Sequence, residues 1–478
     1  MAVQQSLKDK TVKGVAWSAA ERFSVQGVQF LVMLVIARIL DPKDFGLVGM
    51  LAIFIAVAQS LIDSGFSQAL IRKQNRTEVD NSTVFYFNIV ASAFIYLILF
   101  GIAPWVSDFY NEPQLTDLMR ILCLLVVINS FAVVQRAVYT AVLNFKVQAK
   151  ATFIAAVISG VVGIGMALNG FGVWSLVGQQ ISSAIVNVAL LWWYSSWRPK
   201  WLYSWKSFRE LFAFGSNLLI SGLLDTIYNN VYQIVIGKIF TATSLGYYTQ
   251  ANQLSSFPSA NIHGIIGRVT YPVLSSIQND DERLAANYRK ILRISAFIIF
   301  PLMCGLAGVA YPVINVLLGS KWDFSATLLI PLCFSMMWYP VHAINLNLLK
   351  VKGRSDLFLR LEIIKKILGV VMLIITIPFG LLTMCYGTIV NSIIALVINT
   401  YYTGKLIHVG FIRQMRDLSF TLSLSLSMFA VVYGLTLLFS NHYVQISVGL
   451  IIGVMYFAIV CFVRKPQELI FVKSVLKK

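Results

Sequence analysis

The chain has 478 residues, of which 58% are hydrophobic and only 12% charged, with a mean hydropathy of +0.76. Soluble proteins are about 45–50% apolar and about 25% charged, so soluble domains of this size would lack the charge their surfaces require. This excludes a soluble multidomain enzyme and identifies an all-α polytopic membrane protein. The net charge of +18 would point to nucleic acid in a soluble chain. In a membrane protein it reflects basic loops on the cytoplasmic side, and no nucleic-acid partner is expected.

A membrane-crossing helix needs about 20 mostly apolar residues, and about fourteen stretches qualify. The first, 15–37, follows a polar, amphipathic start from Ser6 to Arg22 without a signal-peptide core or cleavage site, so it is expected to be retained. It places Ser18, Arg22, Gln26 and Gln29 on one helical face. The second, 45–70, carries Asp63, and the third covers 83–106. The fourth, 117–142, holds Asn129, Arg136 and Thr140, with Arg120 as an anchor near its outer end. Gly160, Gly163 and Gly165 on the fifth, 151–169, suit close helix packing. After the sixth, 171–194, Trp192, Trp193, Trp197, Trp201 and Trp205 interleave with Arg198, Lys200, Lys206 and Arg209 as an interfacial belt.

The seventh stretch, 211–236, carries Asn217, Ser221, Asp225, Asn229 and Tyr232 on one face. The eighth, 246–274, carries Asn252, Ser256, Ser259, His263 and Arg268. Pro258, Pro301, Pro331 and Pro340 are expected to interrupt the eighth, ninth (290–313) and tenth (326–349), bending helices that line a pathway. The tenth also holds His342 and Asn345. In the eleventh, 360–380, Glu362 can reach Lys365 or Lys366 one turn on. The last three are 382–403, 418–439 and 444–463. Polar residues or proline break spans two, four, eight and ten most.

Outer loops hold only Arg38, Lys43, Lys238 and Lys321, whereas every inner loop carries a basic cluster, so both termini are expected in the cytoplasm. Loops on both faces are short, leaving no room for a soluble catalytic domain. No GxxxxGK[ST] phosphate loop occurs, which argues against ATP-driven transport. The five cysteines lie far apart in apolar segments without partnering histidines, so neither a metal site nor a disulfide framework is expected.

Val35-Ile36-Ala37-Arg38-Ile39-Leu40, followed by Phe45-Gly46-Leu47, recurs 200 residues on as Val235-Ile236-Gly237-Lys238-Ile239-Phe240, followed by Leu245-Gly246-Tyr247. Six spans separate the copies, so both halves share one orientation. That arrangement implies two six-helix lobes related by a pseudo-twofold axis along the membrane normal, with a substrate site between them. The lobes are 1–200 and 201–410; residues 411–478 add two helices and a basic tail.

Charged groups inside a membrane are costly and face water, a partner or a substrate. Arg22, Arg136, Arg268 and Lys365 or Lys366 fall in the cytoplasmic halves of four spans. Cations converging at one depth suit an anionic group, arginine especially a phosphate. Asp63 and His263 occupy equivalent positions at the 200-residue offset and, with Asp225, are candidates for carrying a coupling H+ or Na+. Capped or hydrogen-bonded helix ends would explain Asp63 and His263 equally well.

Three stretches resemble a known family: Asp63-Ser64-Gly65-Phe66-Ser67-Gln68-Ala69-Leu70-Ile71-Arg72-Lys73, Leu245-Gly246-Tyr247-Tyr248, and Gly267-Arg268-Val269-Thr270-Tyr271-Pro272-Val273-Leu274-Ser275. They are similar to polysaccharide flippases of the colanic-acid-exporter type, in the multidrug, oligosaccharidyl-lipid and polysaccharide exporter superfamily. The resemblance implies an inner-membrane flippase moving undecaprenyl-diphosphate-linked oligosaccharide from the cytoplasmic to the periplasmic leaflet by alternating access. It implies a cation-lined cavity between the lobes, with Arg22 and Arg268 on helices that carry lumen arginines in relatives. Expected partners are that lipid-linked oligosaccharide, membrane lipids, and the polymerase and glycosyltransferases of the pathway; no resident cofactor is expected. Two rival readings remain at this level: a multidrug–cation antiporter of the same fold, which favours an acidic cavity, and a membrane-embedded glycan polymerase or ligase, which needs paired carboxylates or a large outer loop.

Overall fold

The structure, a computed structural model, describes residues 24–63, 65–73, 75–464, 466, 468 and 469. Within the helices, the side chains of residues 214, 217, 218, 263 and 265–269 lie outside that description. Every regular element among the described residues is helical. The first half comprises α1 (Ser24–Ile39), α2 (Pro42–Asp63), α3 (Phe66–Arg72), α4 (Glu78–Tyr110), α5 (Leu115–Leu122), α6 (Leu124–Ser130), α7 (Val133–Ala141), α8 (Phe145–Leu168), α9 (Trp174–Tyr194) and α10 (Trp205–Ile239). Then follow α11 (Ala242–Ser275), α12 (Asp281–Gly308), α13 (Ala310–Leu317), α14 (Asp323–Met336), α15 (Tyr339–Val351), α16 (Ser355–Thr376), α17 (Leu381–Ile407), α18 (Phe411–Thr436) and α19 (His442–Arg464).

Among the described residues, 9 helices are long and apolar enough to cross a membrane, or 10 if the bent pair Leu115–Ser130 and Val133–Ala141 is one span. The other four expected spans are helical but do not meet that standard. α1 is described only from Ser24, and α10 and α11 contain side chains outside the description. α16 carries Arg360, Glu362, Lys365 and Lys366 in one stretch.

Spans two, four and ten are broken, as their polar residues and prolines suggested. The second stops at Asp63 and resumes at Phe66, and the fourth is divided among α5, α6 and α7. The tenth breaks before α15, where Pro340 occupies the first turn, a position with no ladder donor to lose. The eighth differs from expectation: α11 runs unbroken through Pro258 and Pro272. Pro301 and Pro331 likewise lie inside continuous helices. In a packed membrane helix, neighbours and hydroxyls can satisfy the carbonyl a proline leaves free.

The chain forms two compact units, one ending at Gly246 and the other starting at Tyr247. α10, which opens the second half by sequence repeat, therefore packs with the first. Gly65 has φ 69°, and a Cβ built there would lie 2.6 Å from the Gly215 Cα of α10, so backbone meets backbone at this break. Around it Phe66, Leu70, Phe85, Val134, Trp197 and Leu211 form one buried cluster. In the second unit, Phe297, Leu424 and Cys461 tie α12, α18 and α19 together.

The start of α4 anchors the segment leading into α10. Thr77 and Asp80 form a capping box, with Thr77 N donating to Asp80 Oδ2 at 2.9 Å and Asp80 N to Thr77 Oγ1 at 3.3 Å. The Asp80 carboxylate, 3% exposed, also accepts from Lys73 Nζ at 3.0 Å and from the Ser207 hydroxyl. Lys200 N donates to Ser82 Oγ at 3.1 Å, Ser204 N to Thr83 Oγ1 at 3.0 Å, and Trp197 Nε1 to Glu78 Oε2 at 3.1 Å. The tryptophan belt is thus divided: Trp193 and Trp201 are 83% and 93% exposed, while Trp197 is turned inward. Replacing Asp80 with Ala strands Ser207 and the Thr77 amide, but Lys73 keeps Glu210 at 3.2 Å. The expected loss is about 2 kcal/mol, read as a lower thermal midpoint of the purified protein.

Candidate functional site

In the first unit, α7 projects Arg136 toward α9. Its Nη2 donates to Asn187 Oδ1 at 2.9 Å, and Asn187 Nδ2 donates to Thr152 Oγ1 of α8 at 3.3 Å. The buried amide therefore aims its oxygen at the cation and its nitrogen at a hydroxyl, a charge-assisted bond that orients the guanidinium. It uses one of five guanidinium donors, and the Arg136 side chain is otherwise exposed. Asp63, at the end of α2 and also exposed, interacts electrostatically with Arg136. A candidate for ion coupling and a candidate for phosphate binding thus lie in one unit and feel each other's charge. Thr140, half a helix away, receives a bond from Gln148 Nε2 at 3.1 Å and serves packing.

On α10, Ser221, Asp225 and Asn229 share one exposed stripe, with Tyr232 half-buried. Arg22 lies outside the described residues. His263 and Arg268 are placed on α11, but their side chains lie outside the description. On the same helix, Ser259 is buried and donates to Met336 O at 2.6 Å, which makes it a packing contact.

The second unit holds another polar cluster. Lys365 Nζ pairs with Glu362 Oε1 at 2.5 Å, one turn back on α16, and Lys366 is half-buried beside it. Lys365 also interacts electrostatically with His342 on α15. His342 Nε2 lies 2.9 Å from Ser392 Oγ and its Nδ1 3.3 Å from Asn399 Nδ2, both on α17. A turn further on, Asn345 and Gln414 are joined at 3.1 Å, and Gln414 Nε2 reaches Thr403 Oγ1 and Val409 O at 3.1 and 3.0 Å. This fully buried network closes α15, α17 and α18 together.

Sequence reasoning missed Asn187, Thr152, Ser392, Asn399 and Gln414. Each was visible as a polar residue in a helical stretch, a reason in itself to look for a partner; the partner was not visible.

A sequence family described as "Polysaccharide biosynthesis protein" matches residues 35–327. The lipopolysaccharide biosynthesis protein WzxC of Escherichia coli K12 is 26% identical over 408 residues, covering 83% of this chain and 80% of that protein. The teichuronic acid biosynthesis protein TuaB of Bacillus subtilis is 23% identical over 456 residues, covering 94% of each. Among solved structures, the lipid II flippase MurJ in an inward closed conformation superposes with a TM-score of 0.74 at 15% identity, covering 95% of this chain and 100% of that one. At that identity the likeness establishes the fold alone.

Proposed function

The chain belongs to the polysaccharide biosynthesis protein family, and on that premise we propose that it is a flippase rather than an enzyme. Its substrate is an oligosaccharide linked to undecaprenyl diphosphate, carried from the cytoplasmic to the periplasmic leaflet of the inner membrane by alternating access. The relatives named for lipopolysaccharide and teichuronic acid biosynthesis support the substrate class, and the MurJ-like fold supports the movement. The observation that carries the reading is Arg136: an exposed guanidinium inside a span, oriented by a buried amide at 2.9 Å. Such a group cannot face lipid at acceptable cost, and it matches a phosphate oxygen. Arg22, Arg268, Lys365 and Lys366 are the further candidate cations for that diphosphate.

Coupling to H+ or Na+ runs through Asp63, Asp225 and His263. Protonating or metallating Asp63 would remove its electrostatic attraction for Arg136 and leave that cation more available to the diphosphate. Both termini are cytoplasmic, in keeping with the basic inner loops. Deleting the gene tests this reading directly: lipid-linked oligosaccharide is expected to accumulate on the cytoplasmic leaflet while surface polysaccharide is lost. An unchanged leaflet distribution with altered glycan linkages would instead mean an enzyme, and no change in either would favour a drug antiporter.

A further inference from the structure

α16 and α17 share a strongly basic end in the second unit. Between them lies a groove of about 560 Å³, walled by Leu361 and Ile364 from α16 and by Val397, Ile398 and Tyr401 from α17. Among the described residues its single charged lining residue is Arg360. The neighbouring cations are engaged: Lys352 with Asp281, Arg354 with Asp356 at 2.7 Å, and Lys365 with Glu362. Lys350 lies over the Phe358 ring at 4.4 Å and Lys405 over Tyr401 at 4.6 Å. Arg360 is exposed, and no carboxylate among the described residues lies within ion-pair distance of it.

We propose that this groove binds an anionic glycerophospholipid of the bilayer, with its phosphate on Arg360 and one acyl chain along Ile364 and Val397. The charge balance favours a bilayer lipid over the polyprenyl carrier, and two further observations set the groove against the bilayer. One unengaged guanidinium balances one phosphate diester, whereas a diphosphate calls for more. The helix flanking the groove turns Leu359, Ile363 and Ile367 outward, each at least 50% exposed, so the opening faces bilayer. The basic residues of the connections and helix ends around it, Lys350, Lys352, Arg354, Arg413 and Arg416, assign this end to the cytoplasmic leaflet, whose surface is negative. Tyr401 and Tyr402 sit where interfacial aromatic rings belong. The inference does not depend on what the protein transports.

The test uses the full-length protein in nanodiscs of phosphatidylcholine doped with phosphatidylglycerol bearing a photoreactive group on its acyl chain. Cross-links mapped by mass spectrometry are expected on α16 and α17 around Ile364 and Val397. Arg360→Ala should lower that labelling about fivefold, equivalent to about 1 kcal/mol. Arg360→Lys should keep most of it, and Arg354→Ala, which removes an engaged cation, should leave it unchanged. Equal labelling by a neutral phosphatidylcholine probe, or undiminished labelling in Arg360→Ala, would overturn the site. Displacement by undecaprenyl diphosphate at lower concentration than by unlabelled phosphatidylglycerol would assign the groove to the carrier and overturn the bilayer-lipid reading.

Discussion

Replacing Arg136 with Ala is expected to stop export of the surface polysaccharide while the protein stays in the membrane at its normal level. The guanidinium is held by Asn187 but otherwise exposed, so its removal costs the fold little beyond one stranded amide, about 1 kcal/mol. Its removal costs a bound phosphate a charge-assisted contact, about 2 kcal/mol, which is a fall in transport of about thirtyfold. Arg136→Lys keeps the charge but loses the planar fork, and should recover part of the rate. Asn187→Ala leaves the charge and removes what aims it, so a smaller loss is expected. The measurement is the rate at which lipid-linked oligosaccharide reaches the outer leaflet, normalised to membrane protein level. Normal export by Arg136→Ala combined with Arg268→Ala would refute the diphosphate site.

The second large effect concerns the two glycines of the repeat. Gly46→Val and Gly246→Val are each expected to lose most of the folded protein. A Cβ at Gly46 would stand 1.7 Å from the Ala242 carbonyl oxygen, and one at Gly246 would stand 1.8 Å from the Pro42 carbonyl oxygen. The contact is reciprocal, and both pairs of positions are offset by 200 residues. Here the first turns of α2 and α11 touch backbone to backbone, as small residues allow in membrane helices. No rotamer change relieves such a clash, so about 4 kcal/mol or more is at stake, in the range reserved for gross overpacking or strain. Alanine at Gly27 or Gly101, where a Cβ meets nothing within 4 Å, serves as the control and should be silent. Membrane level and thermal midpoint read the outcome. If Gly46→Ala accumulates and melts like the parent, the close approach is not as described.

Much of the architecture was legible beforehand. Apolar runs of about 20 residues marked the helices because a segment of that length in lipid satisfies its backbone polar groups internally as a helix. The repeat proved physically apt: α1 ends at Ile39 and α10 at Ile239, while α2 begins at Pro42 and α11 at Ala242. The breaks in spans two, four and ten could be read from glycine, proline and polar residues. The continuity of α11 could not, because what a proline does to a helix depends on its neighbours. Of the candidate site, Arg136 and Asp63 were legible as charges in the wrong solvent, but their mutual interaction was not.

Composition and periodicity alone mark a polytopic helical membrane protein, distribute its basic residues between alternate loops, and reveal that its two halves echo one another. Those are properties of local composition and period, and they follow from transfer free energies residue by residue. It takes the packed helices to show that Asn187 aims Arg136, that Lys365 is engaged by Glu362, that no carboxylate among the described residues pairs with Arg360, and that α10 packs with the first unit through Gly65 and Gly215. Each of these depends on which surfaces meet across tens or hundreds of residues, and a polar side chain in a membrane states that it needs a partner without stating which one it has.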